Sequence, residues 1–141
     1  MAIEDVKEFL AGDTPHFSRL VGLKITKCTA ELVEGTLEAR PELSNRHGVL
    51  HGGAIMTLAD TLGGVGTSAN LPKGGGTVTI ESKTNFFAAV PVGDTARAEC
   101  TPLHRGRTTM VWQTKIVRGD GKLAAVVMQT QLVIPAEPKP G

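Results

Sequence analysis

The stretch HGVLHGGAIMTLAD, residues 47–60, concentrates the groups of this chain best suited to chemistry at a carbonyl. From Gly48 to Pro72 the only ionisable side chains are His51 and Asp60. A carboxylate in so apolar a run admits two readings. It is a solvated charge on an ordinary helix, or it is a group whose surroundings disfavour the charged form, suited to act as a general base or a shielded nucleophile. His51-Gly52-Gly53 stands at the start of the helical run, where the first N–H groups lack intrahelical acceptors and the helix dipole is positive. With no side chain at Gly52 or Gly53, a carbonyl oxygen would have access to those N–H groups, as an oxyanion hole requires. The same glycines would equally serve a tight entry turn.

Other chemistries fit less well. His47 and His51 have the i, i+4 spacing of a helical metal pair, but Gly48 and Gly52-Gly53 oppose helix there and no HExxH glutamate follows His47. Asp60 would be the only nearby oxygen ligand, so no metal is expected. Cys28 and Cys100 have no histidine close in sequence, no GxSxG elbow exists, and Ser68 lacks a strand-to-turn setting. KGGG at 73–76 reads as a turn, since no Lys-Ser/Thr pair follows it.

These groups need elements to position them. On a wheel of residues 54–67, Ala54, Ile55, Leu58, Ala59, Leu62 and Val65 fill an arc of about 140° that would pack on a sheet. Asp60 lies opposite, with Met56, Thr57, Gly63, Gly64 and Thr67. That side is small and uncharged, so the helix is expected to be covered on both sides, its glycines allowing close approach. Before it, residues 3–10 predict a short amphipathic helix ended by Gly12 and Pro15. LKITKCTAEL and GTLEAR predict two antiparallel strands with a turn at Glu34-Gly35. After it, TVTIESKTNFFAAV, DTARAECTPLH, RTTMVWQTKIV and KLAAVVMQTQLVI predict four strands, the last two joined by a tight RGDG turn with positive φ at Asp120-Gly121. The tail 135–141, PAEPKPG, is expected to be disordered.

The expected fold class is α+β, an antiparallel sheet of about six strands with one long central helix and a short N-terminal helix. At 141 residues, 40% hydrophobic and 21% charged, the chain reads as a single domain over 1–141 with its core at about 18–134. A formal charge of +1, from 15 basic and 14 acidic residues, gives no basic face for nucleic acid or an anionic membrane. No 18-residue apolar run or cleavable leader pattern is visible, and the two cysteines read as reduced packed thiols, so a cytoplasmic location is expected. Both faces of residues 123–128 are apolar, which suits burial in a homo-oligomer or a fully covered central strand.

NRHGVLHGGAIMTLAD, with PLHRGR at 102–107, resembles the hotdog-fold acyl-CoA thioesterases of the phenylacetate-pathway and 4-hydroxybenzoyl-CoA type over about residues 18–134. The resemblance implies a curved sheet wrapped around a long helix, assembled as a dimer or a dimer of dimers with sites at the subunit interface. It also implies acyl-CoA as substrate, CoA being part of it, with no separate cofactor. By position, Asp60 matches the catalytic acid, base or nucleophile. Asn45 matches an Asn or Gln contributed by the partner subunit. Gly52 matches the glycine whose N–H polarises the thioester C=O, and His51 a histidine that orients the loop. Where some relatives carry Ser or Thr one turn after the acid, this chain has Gly64, and Thr79 corresponds to a hydroxyl used in another branch. Gly53, Met56 and Gly64 would line the substrate site, with Phe86 or Phe87 as further candidates whose alternative is core packing. His104, Arg105 and Arg107 would hold the nucleotide phosphates, or would be ordinary hairpin charges in water. The competing functions are a non-catalytic acyl-binding or scaffold protein of the same fold, and an enoyl-CoA hydratase.

Overall fold

Period-two alternation and the single helical run resolve into a sheet closed around one helix in the computed structural model, which describes residues 16–140. A short helix α1 (His16–Val21) is followed by strands β1 (Lys24–Cys28) and β2 (Val33–Glu38), a 3-10 turn at Pro41–Leu43 and the long helix α2 (Gly52–Ala69). Strands β3 (Gly76–Phe86), β4 (Thr95–Arg105), β5 (Thr109–Val117) and β6 (Leu123–Ile134) complete the order. The sheet is antiparallel throughout, ordered β1-β2-β4-β5-β6-β3, and α2 touches all six strands. Ile55, Leu58, Ala59, Leu62 and Val65 are buried as the wheel predicts, against Val33, Leu37, Trp112, Ile116 and Val127. Removing each of the large side chains from water contributes about 1.5–3 kcal/mol. No helix among the described residues is long and apolar enough to cross a membrane.

Three expectations change. The turn between the first two strands is at residues 29–32, where Thr29 N–H donates to Leu32 O (2.8 Å) and Thr29 Oγ1 accepts from Leu32 N–H (3.0 Å). Glu34 and Gly35 lie inside β2. Gly35 is there because a Cβ would stand 2.9 Å from Leu62 Cδ2 and 2.9 Å from Lys24 O, so strand and helix close on a bare backbone. The β5–β6 hairpin exists, but only Gly121 takes a positive φ (84°), not Asp120. The helix glycines also admit something other than expected: a Cβ on Gly63 would strike the Gln129 amide, and one on Gly66 the Trp112 ring at 2.8 Å. Both sit on the sheet side of α2, as does buried Thr67, whose Oγ1 accepts from Trp112 Nε1 at 2.9 Å.

The helix expected at 3–10 lies outside the described residues. α1 begins where the sequence reading had only a break; six residues are too few to show a helical period, and of its described side chains only Ser18 and Val21 face inward. Residues 135–140 carry no regular secondary structure. β6 lies between β5 and β3, burying Ala125, Val127, Gln129 and Gln131 while Met128 and Leu132 stay exposed.

Candidate active site

The start of α2 is pinned by its own loop. Asn45 Oδ1 accepts from His47 N–H (2.9 Å), Asn45 N–H donates to Val49 O (2.9 Å), and Gly48 turns the chain with φ +72°. Leu50 N–H donates to Val90 O (2.7 Å) and His51 N–H to Leu43 O (2.8 Å), which locks the loop against the segments on either side. His51 then caps the helix: its Nδ1 accepts from Gly53 N–H at 2.8 Å. A ring nitrogen that accepts carries no proton, so this geometry assigns the neutral tautomer with the proton on Nε2. The cap also separates the two glycines. Gly53 N–H is taken, while Gly52 N–H has no acceptor among the described residues. The Phe86 ring covers Gly52, 3.2 Å from where a Cβ would stand. Of the two amides that the sequence offers as oxyanion donors, the fold leaves one.

Asp60 lies eight residues along α2, on the face turned from the sheet, and in the single chain it is exposed rather than covered. Thr79 Oγ1, from β3, donates to Asp60 Oδ1 at 2.7 Å. Thr79 in turn accepts from Gln131 Nε2 at 2.6 Å, and Gln131 Oε1 accepts from Thr77 Oγ1 at 2.9 Å. These groups open on a cleft of about 460 Å³ that Phe17, Ser18, Gly64 and Val78 also line, and among the described residues Asp60 is the only titratable side chain on its wall. A Cβ on Gly64 would meet nothing within 4 Å, so the small residue one turn past the acid leaves room in that cleft. α1 forms its rim, tied to α2 through Ser18 and Thr61 (3.5 Å) and held at its C-terminus by Arg40, whose Nη2 donates to Leu20 O and Val21 O (3.2 and 3.0 Å).

Sequence reading missed Thr77 and Gln131. Their signal was present: Gln129 and Gln131 fall on one face of an otherwise apolar strand, and a buried amide there must find partners. Gln129 finds only part of its set, donating from Nε2 to Asp60 O at 3.4 Å while Oε1 has no partner.

The remaining candidates are spread out. Met56 is part-exposed on the open side of α2, and Phe86 and Phe87 are exposed. A second cleft of about 640 Å³ lies beside His51, Gly53 and Thr57, with Phe17 on the wall of both clefts. His104 and Arg105 end β4 and Arg107 follows in the turn. Arg105 Nη1 is committed to Ala30 O and Asn70 Oδ1 (both 3.3 Å) and to Glu31 (3.4 Å), which ties the hairpin to the C-terminal end of α2. Arg107 is exposed and makes no hydrogen bond among the described residues. Those residues contain no group of three His, Cys, Asp or Glu side chains placed to hold a metal; His47 Nε2 accepts from Arg46 Nε at 3.3 Å.

One distance constrains the chemistry. Eight residues of helix separate Gly52 from Asp60 by about 12 Å along the axis. No single carbonyl can touch both groups of one chain.

The model of the thioesterase superfamily matches residues 47–125, from the Asn45 loop into β6. The proofreading thioesterase EntH of Cronobacter turicensis is 31% identical over 102 residues, covering 72% of this chain and 74% of the relative. Among solved structures, the thioesterase HI1161 of Haemophilus influenzae superposes with a TM-score of 0.85 at 26% identity, covering 100% of this chain and 96% of that one. The PaaI protein of E. coli, from the phenylacetic acid degradation operon, shares the fold with a TM-score of 0.84 at 22% identity, covering 94% and 93%. Its helix-wrapping sheet is the hotdog fold, and the chain belongs to the thioesterase superfamily as a thioester hydrolase.

Proposed function

We propose that the chain hydrolyses an aryl-, short- or medium-chain acyl-CoA, with Asp60 as general base for water and Gly52 N–H as the oxyanion donor. The observation that carries this reading is the Asp60 carboxylate, held by Thr79 at 2.7 Å in a cleft with no other titratable wall group among the described residues. Its Oδ1 is engaged, so Oδ2 is the oxygen that takes the proton from water. A thioester carbonyl is activated by weak resonance, and one base with one preorganised N–H suffices without metal or separate cofactor.

The separation of about 12 Å supports a site composed of two copies, with Asn45, His51 and Gly52 from one and Asp60 and Thr79 from the other. β3 supports that assembly. It is an edge strand of 11 residues with Val78, Ile80 and Phe86 exposed, and an open apolar edge of that length favours pairing with another strand. The β4–β5 hairpin lies near the helix C-terminus, about 15 Å along the axis from Asp60. That span suits an extended pantetheine arm, with Arg107 and His104 meeting the nucleotide phosphates and Arg105 holding the hairpin in place.

The test is free-thiol release from a panel of benzoyl-, butyryl- and octanoyl-CoA. Wild type turns over at least one of them and Asp60→Ala does not; full activity in Asp60→Ala refutes the mechanism. Mixing inactive Asn45→Ala with inactive Asp60→Asn restores activity if the site is shared, because a mixed dimer holds one intact Asn45–Asp60 combination. Mixtures that stay inactive after subunit exchange refute the shared site.

A further inference from the structure

We propose that Gln131 is a positioning residue that acts through Thr79 to aim a hydroxyl proton at Asp60 Oδ1. The inference rests on Asp60 being the reactive carboxylate. Gln131 is 1% exposed and stands directly opposite Thr79 in the β3–β6 ladder. A carboxylate only accepts, so Thr79 must spend its single proton on Asp60, and its oxygen is left to accept from Gln131 Nε2 at 2.6 Å. Thr77 Oγ1 lies 2.9 Å from Gln131 Oε1 and 2.9 Å from Leu132 O, so its one proton is shared between the amide and that carbonyl. Hydrogen bonds therefore run one way from Gln131 to Thr79 to Asp60, and each donor polarises the next. The bulge between Thr79 and Glu81 shifts the register just past Thr79; Thr77 and Thr79, two residues apart on the strand before it, share the face that lines the cleft with Gln131. Without the amide, the Thr79 hydroxyl is free to rotate and the carboxylate loses its fixed rotamer. Neither Gln131 nor Thr77 touches the reacting atoms.

Gln131→Met keeps the size and removes both polar atoms; Gln131→Glu keeps the shape and replaces the donor that faces Thr79 with an acceptor. On the fastest substrate of the panel, Gln131→Met is expected to lower kcat about fivefold and Gln131→Glu about twentyfold, each with KM within about twofold of wild type. In a Thr79→Val background, Gln131→Met costs nothing further, since the path to Asp60 is already cut. The ¹³C carboxyl resonance of Asp60, recorded without substrate at neutral pH, moves in Gln131→Met as it does in Thr79→Val. Losses that multiply in the double variant, a change in KM alone, or an unmoved Asp60 resonance overturn the proposal. Should the Gln131 variants fail to fold, Thr77→Val removes the donor that orients the amide and is expected to act in the same direction, about twofold; an unchanged Asp60 resonance there overturns it as well. If wild type hydrolyses none of the panel, the proposed activity fails while the resonance measurement still decides the role of Gln131.

Discussion

Gly64 and Gly66 are two residues apart on α2, which turns them about 200° from each other. A Cβ at Gly66 would meet the Trp112 ring at 2.8 Å, while one at Gly64 would meet nothing within 4 Å. The same residue type therefore has opposite meanings on the two sides of one helix. Toward the sheet, glycine lets a buried indole reach the backbone. Away from it, glycine leaves space beside Asp60 in a cleft that one chain does not close. The first side is finished within the monomer; the second, under the function proposed above, takes a ligand and a second copy.

Substitutions separate the two sides, and the largest effect is expected at the acid. Asp60→Asn should lower kcat by about a hundredfold or more, with the thermal midpoint within a degree or two of wild type, because the residue is exposed and packs nothing. A large loss of stability in that variant would erase the distinction between the faces. Leu58→Ala, on the sheet side and fully buried, should cost about 3 kcal/mol by denaturant unfolding.

The glycine pair gives a contrast of sign. Gly66→Ala should destabilise by about 2 kcal/mol, since the Trp112 ring is fully buried and fixed by Thr67. Gly64→Ala should stabilise by about 1 kcal/mol through helix propensity, as nothing opposes the added methyl. Two losses, or two gains, would mean that the faces are not distinct.

The smallest effect belongs to the sheet–helix core itself and is confined to alkaline pH. Burial pushes the Cys100 thiol up from 9.0 to about 11, with the neighbouring Thr114 hydroxyl offsetting a small part of the rise. Above pH 9 the unfolded chain gives up this proton before the folded one does, so stability present below pH 9 is lost as pH rises toward about 11. The thermal midpoint should therefore fall more steeply over that window in wild type than in Cys100→Ala, and equal slopes would contradict the assignment.

Much of the fold was legible because it is written in periodicity. The helix arc from Ile55 to Val65 and the four strands after it needed only the spacing of apolar residues, and each emerged within a few residues of its expected limits. Gly35 misled because glycine after glutamate in a polar stretch looks like a turn, and nothing local reveals that Leu58 and Leu62 lie over it. α1 was invisible for want of length. At the site, Asp60 and His51-Gly52-Gly53 could be picked out because they are the exceptions in a continuous run. Gln131 left a trace, a polar position on a buried strand face, but its partners could not be read, because the bonds joining it to Thr77 and Thr79 span 54 and 52 residues of chain.

What the chain carries in its sequence is therefore an element order, a helix with a carboxylate opposite its apolar arc, and a glycine entry with spare N–H groups. These are local properties, set by side-chain spacing and by the missing acceptors at any helix start. What holds the carboxylate was decided only by tertiary structure, whereas the free amide and the separation of the two groups follow from a cap two residues long and from the rise of the helix. His51 selects Gly52 by capping Gly53, β3 and β6 deliver the hydroxyl and amide to Asp60, and the rise of the helix keeps the two halves apart.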